Sequence, residues 1–366
     1  CEKSASFFFT ICGELDKIKG KGMDAGDSMV TIKKIAELCG VSRGTVDRVL
    51  NGRGRVKPET EEVVRQIARQ LGYQPNPAGK ALAARKKHPV VGVILSSEGN
   101  AFFDEVIRGL ETAAKFYHIY GLEVQRRSMK GYCVETQLQI IGKIAGEINA
   151  LIINPINYPR VAQALDELTE RGIFVVTINN DIENCRRQCY VGSDYFNGGE
   201  TACALLELLL GPEAQVGIVL GSRTILGHRQ RLEGFLKRME RLPGFSVVDI
   251  VENQDDEICS YEATRDFLQK QPELDALFLA AGGVYGACRA VLSVEREKPL
   301  RVIAFDSVPS TVEMMEKGVL QAILYQHPYR QGRKAMEIVF DYLVNGIEPE
   351  RQAYIMTNEI KLLENL

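Results

Sequence analysis

The chain has 366 residues, 45% of them hydrophobic and 25% charged, and a formal net charge of −3. This is ordinary globular material, long enough for two or three domains with sizeable cores. No apolar run is long enough to cross a bilayer, and nine irregularly spaced cysteines, an odd number, read as reduced cytosolic thiols rather than a disulfide frame, so a cytoplasmic location is expected.

Residues 1–28 begin at cysteine, and the run from Phe7 to Cys12 is too short and too poorly flanked by basic residues for a signal peptide. The stretch reads as a disordered extension or a mis-set start, with Met29 as the natural first residue. From Thr31 to Asn51 two helical patterns flank a turn at Cys39, Gly40 and Val41. Ile32, Ile35, Ala36 and Cys39 line one face of the first, leaving Lys33, Lys34 and Glu37 outside. Ser42 is a natural N-cap for the second, with Thr45, Val46, Val49 and Leu50 as its buried stripe. Arg43, Gly44, Asp47 and Arg48 then face out. An apolar-faced helix, a glycine turn and a second helix with a cationic face form the helix-turn-helix plan, whose second helix enters the DNA major groove.

A third helix is expected over 58–71, since Pro58 suits a first turn and Val63, Val64, Ile67, Ala68 and Leu71 make an apolar stripe. Gly72 ends it. Asn76 and Pro77 read as an N-cap and a first-turn proline, opening a short helix through Ala84. Between Met29 and His88 stand thirteen Lys and Arg against five Asp and Glu, although the whole chain is acidic. Basic charge is therefore concentrated on this segment, as phosphate recognition requires.

The run TIKKIAELCGVSRGTVDRVLN, the following Val56-Lys57-Pro58-Glu59-Thr60 and LGYQPNPAGKALA from Leu71 to Ala83 resemble transcription regulators of the lactose-repressor (LacI/GalR) family. The resemblance covers about residues 30–362. It implies a hinge helix that folds on operator DNA and inserts Leu82 into the minor groove as a wedge. Arg43, Gly44 and Arg48 are the expected base readers, because the first turn of the recognition helix reaches farthest into the groove. Arg53, Arg55 and Lys57 are expected phosphate anchors, and Thr31, Ser42, Thr45, Asn51 and Asn76 complete the expected DNA-contacting set. Two positions depart from the family. Gly79 stands where alanine is usual, at a cost of about 1 kcal/mol inside a helix. Asp47 replaces a common serine, and its carboxylate can repel phosphate, accept from a cytosine amino group or pair with Arg43 or Arg48.

From Pro89 onward strand and helix patterns alternate. Strands are expected at 90–95, 122–126, 150–154, 174–179, 216–220, 247–251, 276–279, 302–305 and 322–325, with amphipathic helices such as 102–117 and 195–210 between them. The alternation implies parallel sheets covered on both faces, and a break at Gly211-Pro212 suggests two subdomains. The expected fold class is α/β: an N-terminal all-α helix-turn-helix domain plus a two-subdomain, periplasmic-binding-protein-like domain with parallel sheets.

Ligands of open parallel sheets bind at the carboxyl ends of strands. Those positions hold Asn100, Phe102 and Phe103, then Asn179, Asn180 and Asp181, then Asp306 and Gln326, with Arg231 in the HRQRLEGF stretch. Amides, carboxylates and a guanidinium suit hydroxyl groups, and aromatic faces suit a sugar ring. This part is similar to ribose- and galactose-type periplasmic binding proteins. The resemblance carries Phe102 and Phe103 as ring-stacking residues and Asn100, Arg231, Asp306 and Gln326 as hydroxyl partners. Asn179-Asn180 replaces an Asp-Arg pair, and Ala281-Gly282-Gly283 replaces an amide, so Gly282 would offer backbone N–H and space to a bulkier sugar, a polyol or an acidic derivative.

No metal-ligand spacing links His88, His118, His228 and His327, and the run Asp255-Asp256-Glu257 reads as a solvated loop. The Gly282–Gly286 loop lacks the G-x-G-x-x-G spacing of a dinucleotide site. No enzyme activity, cofactor or metal is expected. The expected protein is a homodimeric regulator that binds near-palindromic double-stranded operator DNA and answers to a small sugar or polyol, without a membrane partner. Its parts would be the extension 1–28, a DNA-binding domain 29–74, a hinge and linker 75–88, and an effector and dimerisation domain 89–366. The alternative is a solute-binding receptor of a sugar transport system.

Overall fold

The computed structural model describes residues 30–50, 56–73, 81, 82 and 84–366. They fall into two compact units that meet in sequence at Ala84. In the first, α1 (Ile32–Cys39) opens at Thr31, whose hydroxyl accepts from the Lys34 N–H, and closes at Gly40 with φ +63°, a conformation open to glycine at little cost. α2 (Arg43–Leu50) is capped by Ser42, whose Oγ accepts from the Thr45 N–H at 3.1 Å. α3 (Pro58–Gln70) carries its proline in the first turn, where a missing N–H costs nothing. The apolar stripes meet in one small core of Ile35, Ala36, Cys39, Val46, Val49, Val64, Ile67 and Ala68. Thr45 and Leu50, expected in that stripe, are only half-buried. Asn51, Arg53, Arg55, Asn76, Gly79, most of the expected hinge helix and residues 1–28 lie outside the described residues.

The second unit contains β1 (Val90–Leu95), β2 (Glu123–Ser128), β3 (Ala150–Ile153), β4 (Phe174–Asn179), β5 (Cys189–Ser193), β6 (Glu213–Leu220), β7 (Gly244–Glu252), β8 (Ala276–Leu279), β9 (Arg301–Phe305), β10 (Ala322–Tyr325), β11 (Ala353–Met356) and β12 (Glu359–Lys361). Its helices include α4 (Phe102–Tyr117), α5 (Val134–Ile144), α6 (Pro159–Glu170), α7 (Tyr195–Leu210), α8 (Leu226–Met239), α9 (Glu257–Lys270), α10 (Val284–Ser293), α11 (Pro309–Glu316) and α12 (Pro328–Phe340). The strands form two sheets, ordered β11-β5-β4-β3-β1-β2 and β12-β10-β9-β8-β6-β7. Every pairing is parallel except that of β12 with β10. Central strands such as β3 and β8 are buried at every position, as expected of parallel strands roofed by helices on both faces.

Gly211-Pro212 does not divide the two lobes. α7 already belongs to the second, since its Ala202, Cys203 and Leu206 pack with Phe235, Phe278 and Phe305. The chain crosses after β5, returns after β10 so that Ala335, Met336 and Val339 of α12 join the first lobe's core, and crosses again between β11 and β12. Close helix crossings rest on facing glycines. A Cβ on Gly109 of α4 would collide with the Tyr329 carbonyl oxygen of α12, and one on Gly332 with that of Val106. Gly199 of α7 and Gly234 of α8 meet the carbonyls of Arg231 and Phe196 in the same way.

Candidate functional site

On the first unit, Arg43, Gly44 and Arg48 are exposed on α2. A Cβ on Gly44 would meet only Arg48 Nη2 and Ser42 Oγ, both at 3.8 Å, so nothing bulky stands over the helix start. Ser42 and Thr45 share a hydroxyl contact of 3.0 Å, and Thr31 is engaged as a cap. Asp47 is half-buried, and its charge adds to burial in raising the pKa of the Tyr73 phenol. Leu82 is helical and 62% exposed.

In the second unit, a small cavity lies between the carboxyl ends of the two sheets. Both sheets reverse strand order there, between β1 and β3 and between β6 and β8, which is where such sheets open a crevice. Asn100, Phe102, Phe103, Asn179, Asn180, Arg231, Gly282, Asp306 and Gln326 all line it. Asp181 does not. Its carboxylate is held by Arg187, at 2.6 and 2.5 Å, and by the Thr177 hydroxyl at 2.8 Å, and so belongs to the loop behind the cavity. Four further residues complete the lining: Tyr132, Asn154, His228 and Asp255.

Asn100 Oδ1 accepts from the Phe102 N–H at 3.1 Å, which fixes the start of α4 and sets Phe102 and Phe103 edge to face at 5.3 Å. Asn179 adopts φ +61°, and its carbonyl accepts from the hydroxyls of Tyr190 and Tyr195 at 2.7 and 2.6 Å. Two such bonds hold a backbone turn that a non-glycine residue adopts at a cost. The amides of Asn154 and Asn180 donate to Asn179 Oδ1, each at 3.2 Å, while Asn180 Oδ1 accepts from the Gly227 N–H of the opposite lobe at 3.2 Å.

Arg231 lies with its guanidinium carbon 3.7 Å from the centroid of Phe305 and 4.8 Å from that of Tyr195, and Nη1 donates to the Ala280 carbonyl at 2.7 Å. Asp306, at φ +69°, accepts from Gln326 Nε2 at 2.6 Å. Burial pushes its pKa up to about 6, against the pull of Arg231. Asp255 accepts from the Gly282 N–H at 3.0 Å through Oδ1 and from the Tyr132 hydroxyl, on the opposite lobe, through Oδ2. The Gly282 N–H is thus occupied by a side chain, contrary to the expectation that it would be open to a ligand. Nor is Asp255 part of a solvated loop. His228 Nδ1 accepts from the Ser222 N–H at 3.1 Å, and burial lowers its pKa, so it is neutral beside Asp255.

A two-lobed parallel α/β body with a polar, aromatic-flanked cavity between its sheets is the plan of a small-solute binding protein, here preceded by a helix-turn-helix unit. Residues 91–347 match the periplasmic binding protein domain, and residues 31–76 match the bacterial regulatory proteins of the lacI family. Over most of its length the chain belongs to the periplasmic binding protein domain family, and it carries ahead of that a DNA-binding domain of the lacI family. Among its relatives is catabolite control protein A of Priestia megaterium, 28% identical over 323 residues, covering 86% of this chain and 92% of the relative. The ribose operon repressor of Halalkalibacterium halodurans is 25% identical over 291 residues, covering 77% and 81%. A solute-binding protein of an ABC transporter from Burkholderia graminis, solved with D-arabinose, shares the fold with a TM-score of 0.71 at 24% identity, over 76% of this chain and 96% of its own. The protein is a DNA-binding transcription regulator of this family and not an enzyme. Among the described residues no helix is long and apolar enough to cross a membrane.

Proposed function

We propose that the protein binds a near-palindromic operator as a cytoplasmic homodimer and that a monosaccharide-sized sugar or polyol in the interlobe cavity controls it. The observation that carries this reading is the joining, in one chain, of a lacI-family DNA-binding domain to a cavity lined by Phe102, Phe103, Asn179, Asn180, Arg231, Asp306 and Gln326. Two aromatic rings beside amides, carboxylates and a guanidinium suit a single hydroxylated ring. Residues 29–74 would read DNA, 75–88 would serve as hinge, and 89–366 would bind effector and dimerise. Arg43, Gly44 and Arg48 would contact base edges. Thr31, Ser42, Thr45, Asp47, Asn51, Arg53, Arg55 and Asn76 would border the backbone, and Leu82 would act as the minor-groove wedge.

The test is a selection of bound random duplex DNA by the full chain, at fixed salt, with and without a panel of sugars and polyols. An enriched near-palindrome whose occupancy responds to one compound supports the reading. Binding of a sugar with no DNA sequence preference at any ligand concentration would instead favour a transport receptor. Arg43→Ala is expected to cost about 1–3 kcal/mol on the selected operator and much less on random DNA, because a base contact carries specificity and a phosphate contact does not. Equal loss on both, measured by gel shift or anisotropy, would return Arg43 to the phosphate backbone.

A further inference from the structure

The carboxylate of Asp255 occupies the space that a side chain on residue 282 would take. A Cβ on Gly282 would stand 3.1 Å from Asp255 Cβ and 3.2 Å from its Cγ. The loop that brings Asp255 there turns through two non-glycine residues at positive φ, Gln254 at +55° and Asp255 at +56°. The Gly282 N–H and the Asp255 backbone N–H, which donates to Asn253 Oδ1 at 2.9 Å, pin it in place.

This placement changes the charge of the cavity. Its ionisable lining is Asp255, Asp306, Arg231, His228 and Tyr132. His228 is neutral, with its Nδ1 accepting a hydrogen bond, and Tyr132 donates to Asp255, so two carboxylates face one guanidinium. Lys130, close by in sequence, pairs with Asp256 at 3.8 Å. One negative charge is left without a counter-charge in an enclosed site, where an uncompensated charge is costly. One buried acceptor of the lining is also unsatisfied. Gln326 Nε2 is spent on Asp306, and Gln326 Oε1, on a side chain only 1% exposed, has no partner among the described residues. Arg231 Nε is the corresponding spare donor, suited to a ring oxygen or a hydroxyl.

We infer that the effector is a sugar or cyclitol carrying one ammonium group, seated on the Asp255 and Asp306 side of the cavity with an N–H toward Gln326 Oε1. The inference rests on the effector reading given above and deepens it. An ammonium supplies the missing charge and three donors at once. A neutral sugar would satisfy the acceptors and leave the charge, and a uronate would add a second one.

Calorimetry on the full chain at pH 7 and fixed salt tests this with matched series: D-glucose, D-glucosamine and D-glucuronate; the corresponding galactose and mannose series; and scyllo-inositol with scyllo-inosamine. In at least one series the amine should bind ten-fold or more tighter than its hydroxyl counterpart, with no measurable binding of the acid. Asp255→Asn should erase the preference of amine over hydroxyl compound, whatever it does to the affinity of both, and Asp255→Glu, which keeps the charge, should retain it. Thermal unfolding of both variants checks that they fold, and if Asp255→Asn does not, the wild-type preference decides. Tightest binding of a neutral or acidic compound that also alters operator occupancy would overturn the ammonium inference and leave the regulator intact. Binding of none in any series, with operator occupancy unmoved, would overturn both.

Discussion

Asp306 shows how one residue's surroundings set a measurable property. It follows the carboxyl end of β9, and burial, with a smaller push from Asp255 and against the pull of Arg231 and the Gln326 hydrogen bond, raises its carboxyl pKa from an ordinary 3.8 to about 6. The folded state therefore holds this proton more tightly than the unfolded chain does. The stability it gives is complete below about pH 4 and is lost as pH rises through about 6. A rise of that size corresponds to roughly 3 kcal/mol. Asp306→Asn, which keeps an acceptor for Gln326 but cannot ionise, should match the wild type near pH 4 and exceed it by a few kcal/mol at pH 7.5. Chemical denaturation of both proteins at the two pH values checks this, and a difference independent of pH would mean that Asp306 is not the titrating group.

At the scale of elements, the glycines that let helices approach belong to packing rather than to flexibility. Gly332 sits inside α12 with the Val106 carbonyl against it. In an exposed helix glycine to alanine gains up to about 1 kcal/mol. Here the added methyl must push two packed helices apart, and Gly332→Ala should destabilise the protein by about 1–3 kcal/mol. A thermal midpoint that rises instead would show the crossing to be loose.

What the sequence displayed and what it hid follow from the same physics. Largely buried strands such as β1 and β4, and long helices such as α4 and α7, announce themselves by apolar runs or helical periodicity, and their expected limits agree with the observed ones. β11 and β12 are short and half-exposed, paired at the sheet edges with residues far away in sequence, and β5 follows the polar loop 183–188. Pairing of that kind leaves no local pattern. In the cavity, Asn100, Asn179 and Asp306 were legible because strand ends converge in a parallel sheet. Asn154 directly follows β3 and obeys the same rule. Tyr132, His228 and Asp255 stand on loops or a helix start, and nothing in a D-D-E run says which carboxylate turns inward. Only the missing side chain at Gly282 hinted that another would fill the place.

For the whole molecule, the question is which contacts set how much effector is needed and which set how far it moves the operator equilibrium. Tyr132 and Asp255 join opposite lobes through a hydrogen bond to a charged acceptor, at the cavity that the lobes enclose. Burial and the neighbouring carboxylate raise the Tyr132 pKa well above its ordinary value, so it remains a donor throughout the physiological range. Such a bond contributes about 1.5–3 kcal/mol, and Tyr132→Phe should shift the open and closed lobes by that amount. Effector affinity would fall by roughly ten-fold or more. The coupling between effector and operator, typically 1–3 kcal/mol, is a difference between the two end states. A contact across the lobes stabilises their closed arrangement, so removing it changes the population of that arrangement without altering what it does to DNA, and at saturating effector the operator affinity of Tyr132→Phe should equal that of the wild type. Operator titrations across an effector series would show the response displaced to higher concentration with its plateau kept. A lowered plateau would place Tyr132 in the transmission of the signal and not in the closing of the cavity.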